Sequence, residues 1–337
     1  MNNYRIVYFS GTGCTALAAD ALAKALRSRG REAAVERITA GPDPGVTGTF
    51  DATLVEPGLS RITAGPDRAW AGTFDALILL FPVYGFTAPG PVIEWIEGIG
   101  CADGTPAAVI SVSGGGEICP NRAGRVSAVK ALKRKGYGVF FEETIMMPSN
   151  LVVATPEPLA IMLLKVLPEK AGAIADDILA GDVKRTPAFF VDRFFAWIGR
   201  SLGRYSKSWG RKIVVSDECD GCGLCAEQCP STNIAMAGSR PALSNSRPAL
   251  SNSKSALSNS KSALSNSSPV FSDKCCMCLG CFYACPKGAL TPKTGKAIIL
   301  KDFDLKSWEE KAPACERADA ANVRAGFIWN GVKKYLE

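Results

Sequence analysis

Over residues 1–150 short apolar runs alternate with stretches of helical periodicity. The runs Arg5 to Phe9, Ala33 to Arg37, Leu77 to Phe81, Ala107 to Val112 and Val139 to Ile145 predict strands, and the intervening patterns near 16–29, 91–98 and 123–135 predict helices. That βαβ rhythm is the pattern of a parallel sheet covered on both faces. Further along, 157–180 and 187–210 read as helices. The second is amphipathic, and its Phe189, Phe190, Phe194, Phe195 and Trp197 are expected to pack inward. A last helix is expected around Ala320 to Leu336. No apolar run reaches the roughly 18 to 20 residues of a membrane-spanning helix, since Lys165 cuts Ile161 to Leu164. The amino terminus runs into Ile6, Val7, Tyr8 and Phe9 with no export signal, so a cytoplasmic protein is expected.

Two repeats interrupt the pattern. Arg37 to Asp43 recurs as Arg61 to Asp67, and Gly48 to Ala52 as Gly72 to Ala76, both 24 residues on. Two copies containing Gly and Pro do not make a solenoid, and they read as a duplicated surface segment that lengthens the connection before the Leu77 strand. Between 239 and 266 a seven-residue unit of Ser, Arg or Lys, Pro or Ser, Ala, Leu, Ser and Asn occurs four times. Its adjacent Ala and Leu cannot serve as separated a and d positions, so a flexible low-complexity insertion is expected at 239–268 rather than a coiled coil.

Composition narrows the chemistry. Of the 337 residues, 13 are cysteine and none is histidine, which removes imidazole acid–base chemistry, His-ligated zinc and Rieske-type centres. Cysteines that cluster in a chain of a reducing compartment point to metal binding rather than disulfides. The net charge of +7 is concentrated by Arg193, Arg200, Arg204, Lys207, Arg211 and Lys212, beside Trp197 and Trp209. A solvated helix face is the plain reading of that segment. An acidic redox partner is the functional one, and no nucleic-acid motif accompanies the charge.

Cys219, Cys222, Cys225 and Cys229 before Pro230, and Cys275, Cys278, Cys281 and Cys285 before Pro286, repeat the C-x2-C-x2-C-x3-C-P spacing of bacterial ferredoxins. Three thiolates three residues apart let a loop wrap three corners of a cubane, with Gly221, Gly223 and Gly280 admitting backbone N–H groups to the sulfurs. The fourth cysteine of such a run serves the other cluster. One quartet is then Cys219, Cys222, Cys225 and Cys285, and the other Cys275, Cys278, Cys281 and Cys229. Zinc also accepts four thiolates, but needs neither the three-cysteine run nor the proline. Cys276 competes with Cys275, which alone keeps the spacing, while Cys14, Cys101, Cys119 and Cys315 read as packing cysteines. Residues 213–292, including Cys285 to Leu290, resemble a two-cluster bacterial ferredoxin interrupted by the repeats.

After the first predicted strand, Ser10, Gly11, Thr12, Gly13, Cys14 and Thr15 lead into a helix whose first N–H groups form an anion site. Gly11, Gly13 and Ala16, with Glu36 downstream, satisfy a dinucleotide fingerprint. The hydroxyls at 10, 12 and 15 instead resemble the FMN phosphate loop of flavodoxins. The segments Pro82, Val83, Tyr84, Gly85 and Ser113, Gly114, Gly115, Gly116 follow later strands, where flavodoxin-like sheets cradle the flavin ring. That resemblance implies that Tyr84 stacks on the ring and Gly85 offers a peptide group to it. Cys14 stands where flavodoxins often have Asn, at a helix terminus that can lower a thiol's pKa.

The chain thus resembles anaerobe proteins that fuse a flavodoxin-like domain to a two-cluster ferredoxin. The implied fold is an α/β flavodoxin-like doubly wound parallel sheet plus a small α+β two-cluster ferredoxin domain. The expected divisions are an FMN-binding domain at 1–150, a helical connector at 151–212, the two-cluster 4Fe-4S domain at 213–300 and a helical extension at 301–337. The implied function is electron relay between two 4Fe-4S clusters and FMN, with an unidentified redox protein as partner. A cluster-based sensor and a flavin enzyme are the competing readings. No DNA-binding motif supports the first, and no acid–base constellation marks the second.

Overall fold

A computed structural model describes residues 1–39, 60–63, 74–116, 121–151, 153–186, 189–237, 268–294, 299–300, 302–316, 323, 326 and 329–336. The amino-terminal half is a parallel sheet. Its strands are β1 (Asn3–Tyr8), β2 (Glu32–Thr39), β3 (Ser60–Thr63), β4 (Ala76–Pro82), β5 (Pro106–Ser113) and β6 (Gly138–Met146), in the order β3-β2-β1-β4-β5-β6. Without β3 this is the flavodoxin-like doubly wound order, in which the direction of winding reverses beside the first strand. Central β4 is buried along Ala76 to Phe81, as a strand covered on both faces must be.

Alternate residues serve the two faces. Tyr4, Ile6, Tyr8, Ile78 and Leu80 pack under α1 (Cys14–Ser28), while Val7, Phe9, Leu77, Leu79 and Phe81 pack under α2 (Gly90–Gly98) and α3 (Val126–Arg134). The composition of α1 explains its formation. Its Ala and Leu residues favour helix, and Ala18, Ala19, Leu22, Ala23 and Leu26 form its buried stripe. The α1 face is completed by α4 (Glu157–Ala180), which ends on left-handed Gly181, with φ 76°.

Three expectations change. The duplicated segment is not only a surface connection, because Arg61, Ile62 and Thr63 form an edge strand in parallel register with their own copies Arg37, Ile38 and Thr39. A sequence able to form strand once does so again beside itself. Phe74 and Asp75 of the second copy lead into β4, which begins at Ala76; the rest of the duplication lies outside the described residues, as do the seven-residue repeats and Cys119. The helix α5 (Phe190–Gly210) also departs from expectation: Phe189, Phe190, Phe194 and Trp197 are exposed, and of the five aromatics only Phe195 is half-buried, edge-on to Phe86 at 5.3 Å. The face turned inward carries Ala196 and Gly199, and a Cβ on Gly199 would lie 2.3 Å from the Gly85 carbonyl oxygen. That close approach leaves no room for rings.

The carboxyl-terminal part contains β7 (Ile213–Val215), α6 (Leu224–Glu227), β8 (Ile234–Met236), β9 (Pro269–Phe271), α7 (Gly280–Ala284) and β10 (Leu290–Pro292). Next come α8 (Leu305–Lys311) and α9 (Asn330–Leu336). The last helix, expected around Ala320 to Leu336, is shorter: α9 begins at Asn330, and Val323 and Gly326, described within that range, are not helical. Val332 and Leu336 of α9 pack with Met146, Leu159 and Leu163.

Candidate functional site

Two short two-stranded antiparallel sheets cross-connect the cysteine motifs. β7, before the first motif, pairs with β10, after the second; β8, after the first, pairs with β9, before the second. The end of each motif is therefore folded onto the start of the other. One small cavity of about 20 Å³ is lined by Cys219, Cys222, Cys225 and Cys285, and another of about 20 Å³ by Cys229, Cys275, Cys278 and Cys281 together with Cys276. Each predicted quartet thus surrounds one space, and the two spaces match in size. Among the described residues, no three Cys, Asp or Glu side chains converge as they would on a single ion. Four thiol donors around one space have the chemistry of a 4Fe-4S site.

The loops share one backbone solution. Gly221 and Gly223 adopt φ 74° and 79°, and at the same two places in the second motif Met277 and Leu279 adopt φ 54° and 62°. A left-handed conformation is routine for glycine but strained for Met and Leu, held here by packing around Leu279, which is 2% exposed. Backbone N–H groups reach the sulfurs from Asn233 to Cys229 at 3.2 Å, Met277 to Cys275 at 3.3 Å and Ala289 to Cys285 at 3.3 Å. Such bonds orient thiolates and tune a cluster's potential. In the metal-free chain, burial raises the Cys225, Cys229 and Cys281 thiols and pushes Cys275 up to about 12. A hydrogen bond from Cys276 holds the Cys278 thiol low and raises Cys276 in turn.

The phosphate-type loop sits at the carboxyl end of β1. Gly13, with φ 100°, caps α1, and the Ser10 hydroxyl accepts a hydrogen bond from its N–H at 3.2 Å. Ser10 and Thr15 are buried, and the Thr12 hydroxyl accepts from the Asn150 amide at 2.7 Å. Cys14 is not activated: burial pushes its thiol up to about 12 and its Sγ lies 3.7 Å from the Pro148 carbonyl, the behaviour of a packing cysteine.

After β4, Tyr84 and Thr87 exchange backbone hydrogen bonds across Gly85 and Phe86, whose φ values of 52° and 66° make a tight primed turn. The Tyr84 ring stands edge-on to Phe9, with centroids 6.4 Å apart. After β5, the Ser113 hydroxyl accepts from Gly116 N–H at 3.2 Å, Asn121 holds the Gly116 carbonyl and Ser149 lies against Gly114. Hydroxyl donors and a helix N-terminus at the winding reversal are the chemistry a phosphate monoester requires.

The cysteine module rests directly on this loop. A Cβ on Gly11 would lie 2.5 Å from Cys278 Cβ and 2.6 Å from the Tyr84 hydroxyl, and one on Gly280 would lie 2.5 Å from the Gly11 carbonyl oxygen. Gly280 therefore serves this contact between the two halves as well as giving its N–H to the Cys278 sulfur, as expected of it. Leu305 of α8 stands over Gly13, where a Cβ would meet it at 2.7 Å. Tyr283 of α7 donates to the Asn150 carbonyl at 2.8 Å and accepts from Leu300 N–H.

Sequence reading did not single out Arg37, whose guanidinium donates to the Ser10 carbonyl at 3.1 Å; its charge adds to the Cys276 hydrogen bond in holding the Cys278 thiol low, and opposes the burial that raises the Tyr84 hydroxyl well above its ordinary value. It also missed Asn150 and Leu305. These three come from a strand interior, the segment just after β6 and the extension, and no local motif marks them.

Residues 218–290 match the family described as a 4Fe-4S dicluster domain. No curated protein matches the chain. Among solved structures the chain is similar to a flavodoxin of Streptococcus pneumoniae TIGR4, at 17% identity over 53% of this chain and 98% of that one, TM-score 0.33. It is also similar to flavodoxin 2 of Bacillus cereus, at 17% over 53% and 99%, TM-score 0.33. A third is a Fusobacterium nucleatum flavodoxin bound to flavin mononucleotide, at 16% over 54% and 99%, TM-score 0.32. At such values the strand order, not the superposition, defines the fold.

Proposed function

We propose that the chain is an electron-transfer protein that relays electrons between two 4Fe-4S clusters and an FMN in its flavodoxin-like domain. A dicluster module beside a flavodoxin-like sheet supports a redox role at the coarser level. The finer reading is carried by one observation: each cysteine quartet lines its own cavity, and Cys278 of the second lies against Gly11 of the phosphate loop.

In this reading Cys219, Cys222, Cys225 and Cys285 hold one cluster and Cys275, Cys278, Cys281 and Cys229 the other. Ser10, Gly11, Thr12, Gly13, Cys14 and Thr15 take the flavin phosphate, and Pro82 to Gly85 and Ser113 to Gly116 flank its ring. Clusters exchange single electrons whereas FMN accepts one or two, so together they supply conversion between the two regimes. Cys222 is exposed and Cys278 buried. The first quartet therefore faces an external redox protein, and the second faces the flavin loop. Arg37 brings a positive charge to that boundary. Thiolate-held clusters suit a reducing compartment, and the cytoplasm is the proposed location.

Anaerobic reconstitution followed by stepwise reduction under optical and EPR observation tests the relay. The expected result is about eight irons per chain, with flavin and both clusters exchanging electrons internally. Iron far below that, or no response of the flavin to cluster reduction, rejects it.

A second reading has its own support, because Cys278, Tyr84 and Leu305 fill the open sides of Gly11 and Gly13. The flavodoxin-like half would then be a platform for a cluster module that senses rather than conducts. Titration with FMN separates the two: saturable quenching of flavin fluorescence supports the relay, and its absence supports the platform.

A further inference from the structure

The outward face of α5 is built unlike the rest of the described surface. Phe190, Phe194, Trp197, Ser201 and Tyr205 follow one another at helical spacing along one line. Phe190 is 82% exposed, Phe194 and Trp197 each 56% and Tyr205 46%. Beside that line runs a second one of exposed Arg193, Arg200, Arg204 and Lys207. The helix has a single acid, Asp192, which is buried and engaged by the Phe189 N–H at 3.1 Å and by Arg122. The opposite face is clamped by Gly199 against Gly85 and by the Ser206 hydroxyl on the Cys275 carbonyl at 2.9 Å, so the helix cannot roll to hide its rings.

We propose that α5 is an interfacial helix that seats the protein flat on an anionic phospholipid bilayer. Twenty-one residues give a convex rib about 30 Å long. Rings in a row suit the boundary between acyl chains and headgroups, and the adjacent guanidinium groups suit the phosphates, with which they pair in bidentate fashion. A protein partner would need a matching groove, whereas a bilayer deforms to receive a rib. The seating is peripheral, since no helix of the described residues is long and apolar enough to cross a membrane. The inference does not depend on cluster or flavin content.

Flotation of the full-length reconstituted protein with vesicles tests it. The protein is expected to float with phosphatidylcholine vesicles containing phosphatidylglycerol, to remain behind with phosphatidylcholine alone, and to be released by salt. The triple variant Arg193→Gln, Arg200→Gln, Arg204→Gln should weaken binding on the order of 100-fold, from three charges near an anionic surface. The double variant Phe194→Ser, Trp197→Ser should weaken it roughly tenfold or more. On the unaltered protein, brominated lipid should quench tryptophan emission, and Trp197→Phe should remove most of that quenching. Failure to float with anionic vesicles overturns the proposal. So does flotation indifferent to both variants, or loss of a dimer in the aromatic variant without any vesicle binding, which would make this face a contact between copies.

Discussion

At the residue scale, backbone contacts distinguish the proposed ligand Cys275 from its neighbour Cys276. Cys276 lines the second cavity and bonds Cys278, yet only Cys275 has both the motif spacing and the backbone N–H of Met277 on its sulfur. Cys275→Ser is expected to lose one cluster's EPR signal and about half the iron, while Cys276→Ser keeps both, by iron assay and EPR on anaerobic material. Cys14 carries a pH signature. Its thiol is pushed up to about 12 from an ordinary 9.0, so as pH rises the unfolded chain gives up this proton before the folded one. The contribution to stability is complete below pH 9 and is lost between there and about 12. Denaturant melts across that window should fall less steeply for Cys14→Ala than for the parent protein. Arg125, 1% exposed, bonds Ser111 and Thr144 and faces Glu142, which Arg185 also engages at 2.6 Å. Arg125→Met would leave Glu142 buried with one partner fewer, and a loss of about 3 kcal/mol in urea unfolding is expected.

At the element scale, the strands and helices of the sheet were legible because the periodicities of 2 and 3.6 are written locally. The candidates Leu77 to Phe81 and Ala107 to Val112 lie within β4 and β5, and the helix candidate near 91–98 within α2. The facing of α5 was not legible. Aromatic residues on an amphipathic helix are ordinarily its buried side, but here the closest packing is made by Gly199 and Ala196, and small residues win wherever backbones must touch. Gly199→Val should push α5 off the Tyr84 turn. The expected outcome is a loss of about 1–3 kcal/mol, together with faster amide exchange in α5 but not in β4.

At the scale of the whole molecule, the halves meet at Gly11, which lies against Cys278 and Gly280, and at Asn150, whose carbonyl accepts from Tyr283. Gly11→Ala should leave the iron content intact and alter the electronic coupling across that contact, read as slowed electron exchange between clusters and flavin after flash reduction. Chelation of iron should unfold the cysteine module, whose two small sheets have three residues per strand, while the six-stranded sheet persists in far-ultraviolet circular dichroism. The raised thiols oppose ligation, so reconstitution should proceed further as pH rises towards 9.

Spacing along the chain alone determined the two cysteine motifs, the hydroxyl-bearing loop and the βαβ rhythm, because each is a property of neighbours within a few residues. Tertiary structure alone decided that the module's second loop rests on Gly11, that Arg37, Asn150 and Leu305 surround the phosphate-type loop, and that the rings of α5 face outward. Those outcomes depend on how closely two distant surfaces approach, and close approach is set by packing between segments that carry no record of one another.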